Sequence, residues 1–201
     1  MSNGTFRLEI RMMGTPEVSA EGKFLALNQL KPRALLFYLA ATGESHTRDH
    51  LATLLWGESG QSEAYHSLRS SLYHLRKALQ AIQADDIVVS EGDLLYLDKI
   101  SCQRDVIEFQ RLLMLKNESS DTQAVALRKG PLLEGFSIPD APLFTDWVQT
   151  ENMHLNQLCF DALDRLVSWA ERRETWTVAV GYLNKMIQID PQYHIHSWYH
   201  L

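Results

Sequence analysis

The stretch Ser67–Leu79, SLRSSLYHLRKAL, concentrates side chains that donate and accept hydrogen bonds. Arg69, Arg76 and Lys77 are cationic, Ser70 and Tyr73 carry hydroxyls, and His74 and the nearby His66 carry imidazoles. Leu68, Leu72, Leu75 and Leu79 recur among them at helical spacing. At about 100° per residue the four leucines fall in a stripe about 60° wide, the buried face of a helix. His66, Ser70, Tyr73, His74 and Lys77 lie on the opposite face. Arg69 and Arg76 lie on one flank, where their stems follow the protein and their heads reach outward. Such a face has the chemistry to meet nucleic acid. Arginine pairs bidentately with guanine, lysine meets phosphate, and hydroxyls or imidazoles bond to either. The same pattern also fits an ordinary amphipathic helix with a solvated face.

The order of elements bears on that choice. Residues 5–27 read as short strands: Phe6, Leu8, Ile10 and Met12 alternate with Arg7, Glu9 and Arg11, and Lys23–Leu27 returns after a turn at Glu21-Gly22. A small antiparallel sheet is expected. Pro32 suits a helix start and Gly43 a helix stop around the apolar run Ala34–Ala41. Thr47 can cap a short second helix, RDHLATLLW. Gly57 and Gly60 break it, and Ser62 is placed to cap a third helix running to about Gln80. Ile87–Val89 and Leu94–Leu97 then form a hairpin around Ser90-Glu91-Gly92-Asp93. Sheet, three helices and hairpin are the order of a winged helix-turn-helix, in which the third helix enters the major groove.

The second half is expected to be helical. Asp105-Val-Ile-Glu108 fits a capping box, Asp121 opens a further helix that Gly130–Gly135 closes, and helix continues from Thr145 with breaks near Arg172–Thr175 and Asp190-Pro191. Ala179, Leu166, Leu183 and Pro191 fit positions of a tetratricopeptide repeat, although Val167 stands where the usual glycine belongs. Such helix pairs need stacked neighbours. HIHSWYHL at the end looks like the opening of another helix, so the chain is expected to be the front part of a longer protein. The fold class expected is therefore mainly α with a small antiparallel sheet: a winged helix over residues 1–100 and a tetratricopeptide-like domain over 101–201.

Composition sets limits on function. The net charge is -6, from 19 basic and 25 acidic residues. Residues 1–100 hold 10 basic and 12 acidic residues, and 101–201 hold 9 and 13. Against that background, Ser62–Leu79 carries Arg69, Arg76 and Lys77 with Glu63 as its one acid. Nucleic-acid binding depends on where charge lies rather than on its sum. No secretion signal and no membrane-length apolar run is present. Cys102 and Cys159 form no metal-type pair and are expected as buried thiols. His46 with His50, and His194, His196 and His200, lack a ligand framework, so no metal is expected. The five tryptophans are expected as packing anchors. No phosphate-cradling loop or catalytic motif appears, so no enzyme activity, cofactor or small-molecule substrate is expected.

MMGTPEV, KPRALLFYLAATGE, TRDHLATLLWGE, SEAYHSLRSSLYHLRKAL, RDVIEF and LRKGPLLEGF, in this order, resemble the SARP-type bacterial transcriptional activators over about residues 8–200. That family joins an OmpR-like winged helix to a bacterial transcriptional activator domain of tetratricopeptide-like repeats. The resemblance implies a cytoplasmic activator that binds double-stranded promoter DNA, often as a pair of subunits, and helps recruit RNA polymerase. Carried onto this chain, the DNA-binding candidates are His66, Arg69, Ser70, Tyr73, His74, Arg76 and Lys77. Thr47 and Arg48 join them, at a helix start whose amides suit a phosphate. The wing tip, Glu91-Gly92-Asp93, is acidic and is expected to stand off the DNA. A protein-interaction adaptor whose winged helix does not bind DNA is the competing reading.

Overall fold

A computed structural model of the chain describes residues 8–190. Strand β1 (Leu8–Arg11) buries Leu8 and Ile10 completely and leaves Arg11 exposed, as its alternation requires. Strand β2 (Glu17–Ala20) pairs antiparallel with β1, and β3 (Lys23–Phe24) pairs with β2 across the Glu21-Gly22 turn. Both turn residues have positive φ, 49° and 78°, the geometry that matches strand twist in a tight hairpin.

The helical core follows. Helix α1 (Leu30–Thr42) is apolar on nearly every side and is buried accordingly. It ends at Gly43, whose φ of 64° lets its N–H bond back to the Leu39 carbonyl. Strand β4 (His46–Thr47) leads into α2 (Arg48–Trp56), where the Thr47 hydroxyl accepts from the His50 N–H at 3.2 Å, the cap expected from sequence. Helix α3 (Gln61–Gln80) starts at Gly60 instead of Ser62. Gly60 holds the extended cap conformation, and Ser62 lies inside the first turn without a cap bond. Strands β5 (Val88–Glu91) and β6 (Leu94–Leu97) form the hairpin, with Gly92 at φ 57°.

Two strands were not legible. β4 adds to β6, making a three-stranded sheet in the order β4-β6-β5. β7 (Cys102–Arg104) pairs parallel with β1, so the expected antiparallel sheet is a mixed four-stranded one, β3-β2-β1-β7. Each is only two or three residues long, too short for periodicity to show.

In the second half, α4 (Asp105–Met114) corrects the expected capping box. Arg104 takes the cap position, and Asp105 is turned to a different use. Its Oδ2 accepts the Met12 and Met13 N–H groups at 2.7 and 2.8 Å, and its Oδ1 accepts the Val106 N–H at 2.8 Å. Helix α5 (Glu118–Leu127) starts before Asp121, under a capping box of Asn117 and Ser120. Asp121 is instead fully buried and receives two hydrogen bonds from Arg165, at 2.7 and 2.9 Å.

The long α6 (Pro142–Arg172) and α7 (Trp176–Ile189) pack as a helix pair across a short turn. Leu166 and Ala179 are buried and Leu183 is half-buried. Pro191, His194, His196, Trp198 and His200 lie outside the described residues. Of the tryptophans, Trp56 is buried and Trp147 and Trp169 are half-buried. Trp176 is 60% exposed, so it is no packing anchor in these residues. It shares α7 with exposed Val178, Val180 and Ile187. Cys102 and Cys159 are both buried, and neither is in a disulfide.

The two halves meet along a backbone seam. Lys129 N–H bonds to the Met13 carbonyl, Gly14 N–H to Pro131, Leu133 N–H to Met12 and Glu134 N–H to Gly14. Thus Gly130–Gly135, expected to close a helix, follows the helix end at Leu127 and zips onto the segment after β1. Phe37 against Phe136, Tyr38 against Trp147, and a Lys31–Asp140 ion pair extend the contact.

Candidate nucleic-acid interface

Helix α3 is held by its leucines. Leu68, Leu72, Leu75 and Leu79 are all at most 3% exposed. Burial of each contributes about 1.5–3 kcal/mol relative to exposure. That anchoring fixes the rotation of the helix, and hence the direction of every polar side chain on it.

The outward surface divides in two. One flank borders a groove of about 650 Å³. Arg69, Tyr73, Arg76 and Lys77 line it from α3, and Arg48 joins them from the start of α2. Four cations therefore converge, with Asp85 the one carboxylate in the lining. Tyr73 stands 61% exposed. His66 is also exposed, while Ser70 and His74 lie around the helix from the groove. The His74 ring meets the Tyr73 ring edge-on at 5.4 Å.

Not all the cations are equally available. Arg76 Nη2 donates to the Val88 carbonyl at 3.2 Å and to Ser90 Oγ at 2.6 Å, tying α3 to the hairpin. Arg69 and Lys77 are exposed. Arg76 therefore positions the hairpin against the helix, while Arg69 and Lys77 stay exposed beside the groove.

The start of α2 fits a phosphate less well than its sequence suggests. The His50 N–H is bonded to Thr47 Oγ1, and the Arg48 N–H to the Asp93 carbonyl at 3.0 Å. Asp49 stands in the same first turn and adds negative charge. The Arg48 side chain, rather than the helix amides, is what this end presents to the groove. Asp49 in turn accepts from the Tyr65 hydroxyl at 3.1 Å, which locks α2 to α3. Burial and this acidic neighbour push the Tyr65 hydroxyl pKa above its ordinary value. At the wing tip Glu91 accepts from Tyr96 at 3.2 Å.

Sequence reasoning missed Tyr65 and Gln80, which also line the groove. The signal was present. Positions 65, 69, 73, 76 and 80 follow one another at three or four residues, a single row along the helix.

The His46 and His50 imidazoles stand side by side. Their rings stack at 5.3 Å, and His46 Nε2 is bonded to Thr42 Oγ1 at 2.8 Å and His50 Nε2 to Tyr38 Oη at 2.7 Å. Among the described residues no three metal-ligating side chains converge, and no helix is long and apolar enough to cross a membrane.

No protein-family model matches the chain, and no curated protein matches it in sequence. Among solved structures the chain is similar to Mycobacterium tuberculosis EmbR, determined in complex with a low-affinity phosphopeptide, with a TM-score of 0.59 at 18% identity. The likeness covers 91% of this chain and 54% of the EmbR chain, so this chain spans about half of EmbR's length. At that identity it shows the fold: a winged helix joined to a helical domain, the fold implied by the SARP resemblance.

Proposed function

We propose that this chain is a DNA-binding transcriptional regulator that reads double-stranded promoter DNA with α3. The observation that carries this reading is the row of Arg69, Tyr73 and Lys77 beside Arg48, gathered on one exposed flank of the third helix in a winged-helix order. A major groove admits one α-helix, and its phosphates favour converging cations. Arg69 and Lys77 are the principal contacts, with His66, Ser70, Tyr73 and His74 as base-reading candidates and Arg76 holding the wing. Thr47 acts through its cap, which positions Arg48. Residues 1–100 form the DNA-binding part, and 101–201 serve dimerisation, regulation or contact with RNA polymerase. Activation rather than repression follows from the family resemblance, as does action in the cytoplasm. The adaptor reading draws on the exposed apolar residues of α7, Trp176 and Val178 among them, which suit a protein partner.

A gel-shift titration against a pool of random duplexes tests the proposal. Affinity falls steeply with salt, and Lys77→Ala lowers the magnitude of the log–log salt slope by about one. Selection of bound sites from the same pool then returns an operator. Absent or salt-insensitive binding favours the adaptor.

A further inference from the structure

Away from the groove on α3, a second concentration of positive charge lies inside the helical half. The loop after α5 carries Arg128 and Lys129, and α7 carries Lys185. The three line a pocket of about 290 Å³ closed on one side by α6. No carboxylate is among its lining residues. In a chain with more acids than bases, that segregation has a cost, since like charges in a half-enclosed site repel.

The chain itself only partly answers that charge. Arg128 Nη2 donates to Asn156 Oδ1. Arg128 Nη1 is buried and has no hydrogen-bond partner among the described residues. A buried guanidinium nitrogen left this way costs more than an ordinary unpaired polar group. Cys159 adjoins it, but burial pushes the thiol up to about 11, so the sulfur stays neutral and supplies no counter-charge near neutral pH. Glu134 approaches Gly130 and shares the neighbouring groove with Lys129, leaving Arg128 and Lys185 as the cations this pocket holds for itself.

We propose that this pocket binds the phosphate group of a small metabolite, with Arg128 at its base and Lys185 at its mouth. Arg128 from the loop after α5 and Lys185 from α7 give a phosphate dianion two cationic partners on different elements. The Asn156 amide nitrogen adds a donor on the α6 side. Val125, Pro131 and Ile189 give the remaining wall an apolar surface for the body of the ligand. The volume is just under the range of about 300–1,000 Å³ usual for drug-sized ligands, which favours a small metabolite. Phosphate bound here bridges α7 to the loop whose next residues, Lys129 to Glu134, make the backbone seam with the winged helix. The ligand thereby fastens α7 beside the contact between the two halves.

The test is isothermal titration and thermal denaturation of the full chain with inorganic phosphate and with glucose 6-phosphate. Citrate and sodium chloride at matched ionic strength serve as controls. Both phosphates are expected to bind saturably, the ester more tightly, and to raise the melting temperature beyond either control. Arg128→Gln is expected to weaken binding at least tenfold and Lys185→Gln several-fold. Lys185 is exposed, so Lys185→Gln stays folded and decides the matter if Arg128→Gln does not. Shifts no larger than those of the controls overturn the proposal, as does binding that Lys185→Gln leaves unchanged. Binding of inorganic phosphate alone overturns the metabolite and leaves a simple anion.

Discussion

Arg69 and Arg76 have the same chemistry and sit on the same flank of one helix, yet they carry different loads. Arg76 is spent on the Val88 carbonyl and the Ser90 hydroxyl, whereas Arg69 is exposed beside the groove. Arg69→Ala is expected to leave urea stability unchanged while costing about 1–3 kcal/mol of DNA affinity, the worth of one good base or phosphate contact. Arg76→Ala is expected to lose about 1 kcal/mol of stability as well, because its bonds to the hairpin are partly exposed and charge-assisted. Denaturation curves and gel shifts on the two variants separate the roles. Equal stability losses would contradict the division. Asp105 shows the same principle in the fold. One carboxylate serves three backbone N–H groups, two of them from the segment after β1. Asp105→Ala strands those amides and is expected to cost about 2–4 kcal/mol in urea denaturation.

At the scale of elements, the seam between Met12–Gly14 and Lys129–Glu134 is one of the contacts that join the two halves. It needs glycine where the backbones approach. Gly14 has φ 117°, and a Cβ there would lie 3.2 Å from the Lys129 Cβ. Gly130 faces it, and a Cβ on Gly130 would lie 3.1 Å from the Gly14 Cα. Gly14→Ala is expected to destabilise by about 1–3 kcal/mol, through both strain and crowding. Hydrogen exchange should show the loss at Leu133 and Glu134, whose amides bond across the seam, before it reaches α3. Uniform loss across both halves would mean that the seam does not open by itself. The short strands β4 and β7 belong to this scale too. Neither has enough residues to declare itself, and each forms because a longer partner, β6 or β1, is already in place.

At the scale of the whole molecule, the aromatic cluster where α1, β4, α2 and α6 meet is expected to make stability depend on pH. Tyr38 packs on His46, His50 and Trp147. Burial holds the His46 imidazole below its ordinary pKa, the charge of His50 adds to the effect, and Glu44 opposes it. The unfolded chain therefore takes up the proton first as pH falls. Stability from this group is complete above the unfolded histidine range, near 6.5, and is lost as pH drops through the lower folded value. The melting temperature should fall more steeply between pH 7 and 5 for the wild type than for His46→Gln. Parallel curves would remove His46 as the cause.

By itself the sequence determined the helices, the hairpin and the leucine stripe of α3, because periodicity and local caps such as Thr47 and Gly43 act over a few residues. It also showed that positive charge gathers on that helix. It misplaced Ser62 and Asp105, since both have the side chain of a cap but only the backbone geometry decides which residue caps. It named the cations of α3 without ranking them. Only the tertiary structure decided that Arg76 is tied to the hairpin, that Asp93 takes an amide at the start of α2, and that Arg48 joins the groove. The pocket of Arg128 and Lys185 was invisible for the same reason. Its cations lie more than fifty residues apart in sequence, and no local rule of spacing reports a contact that the packing of three helices creates.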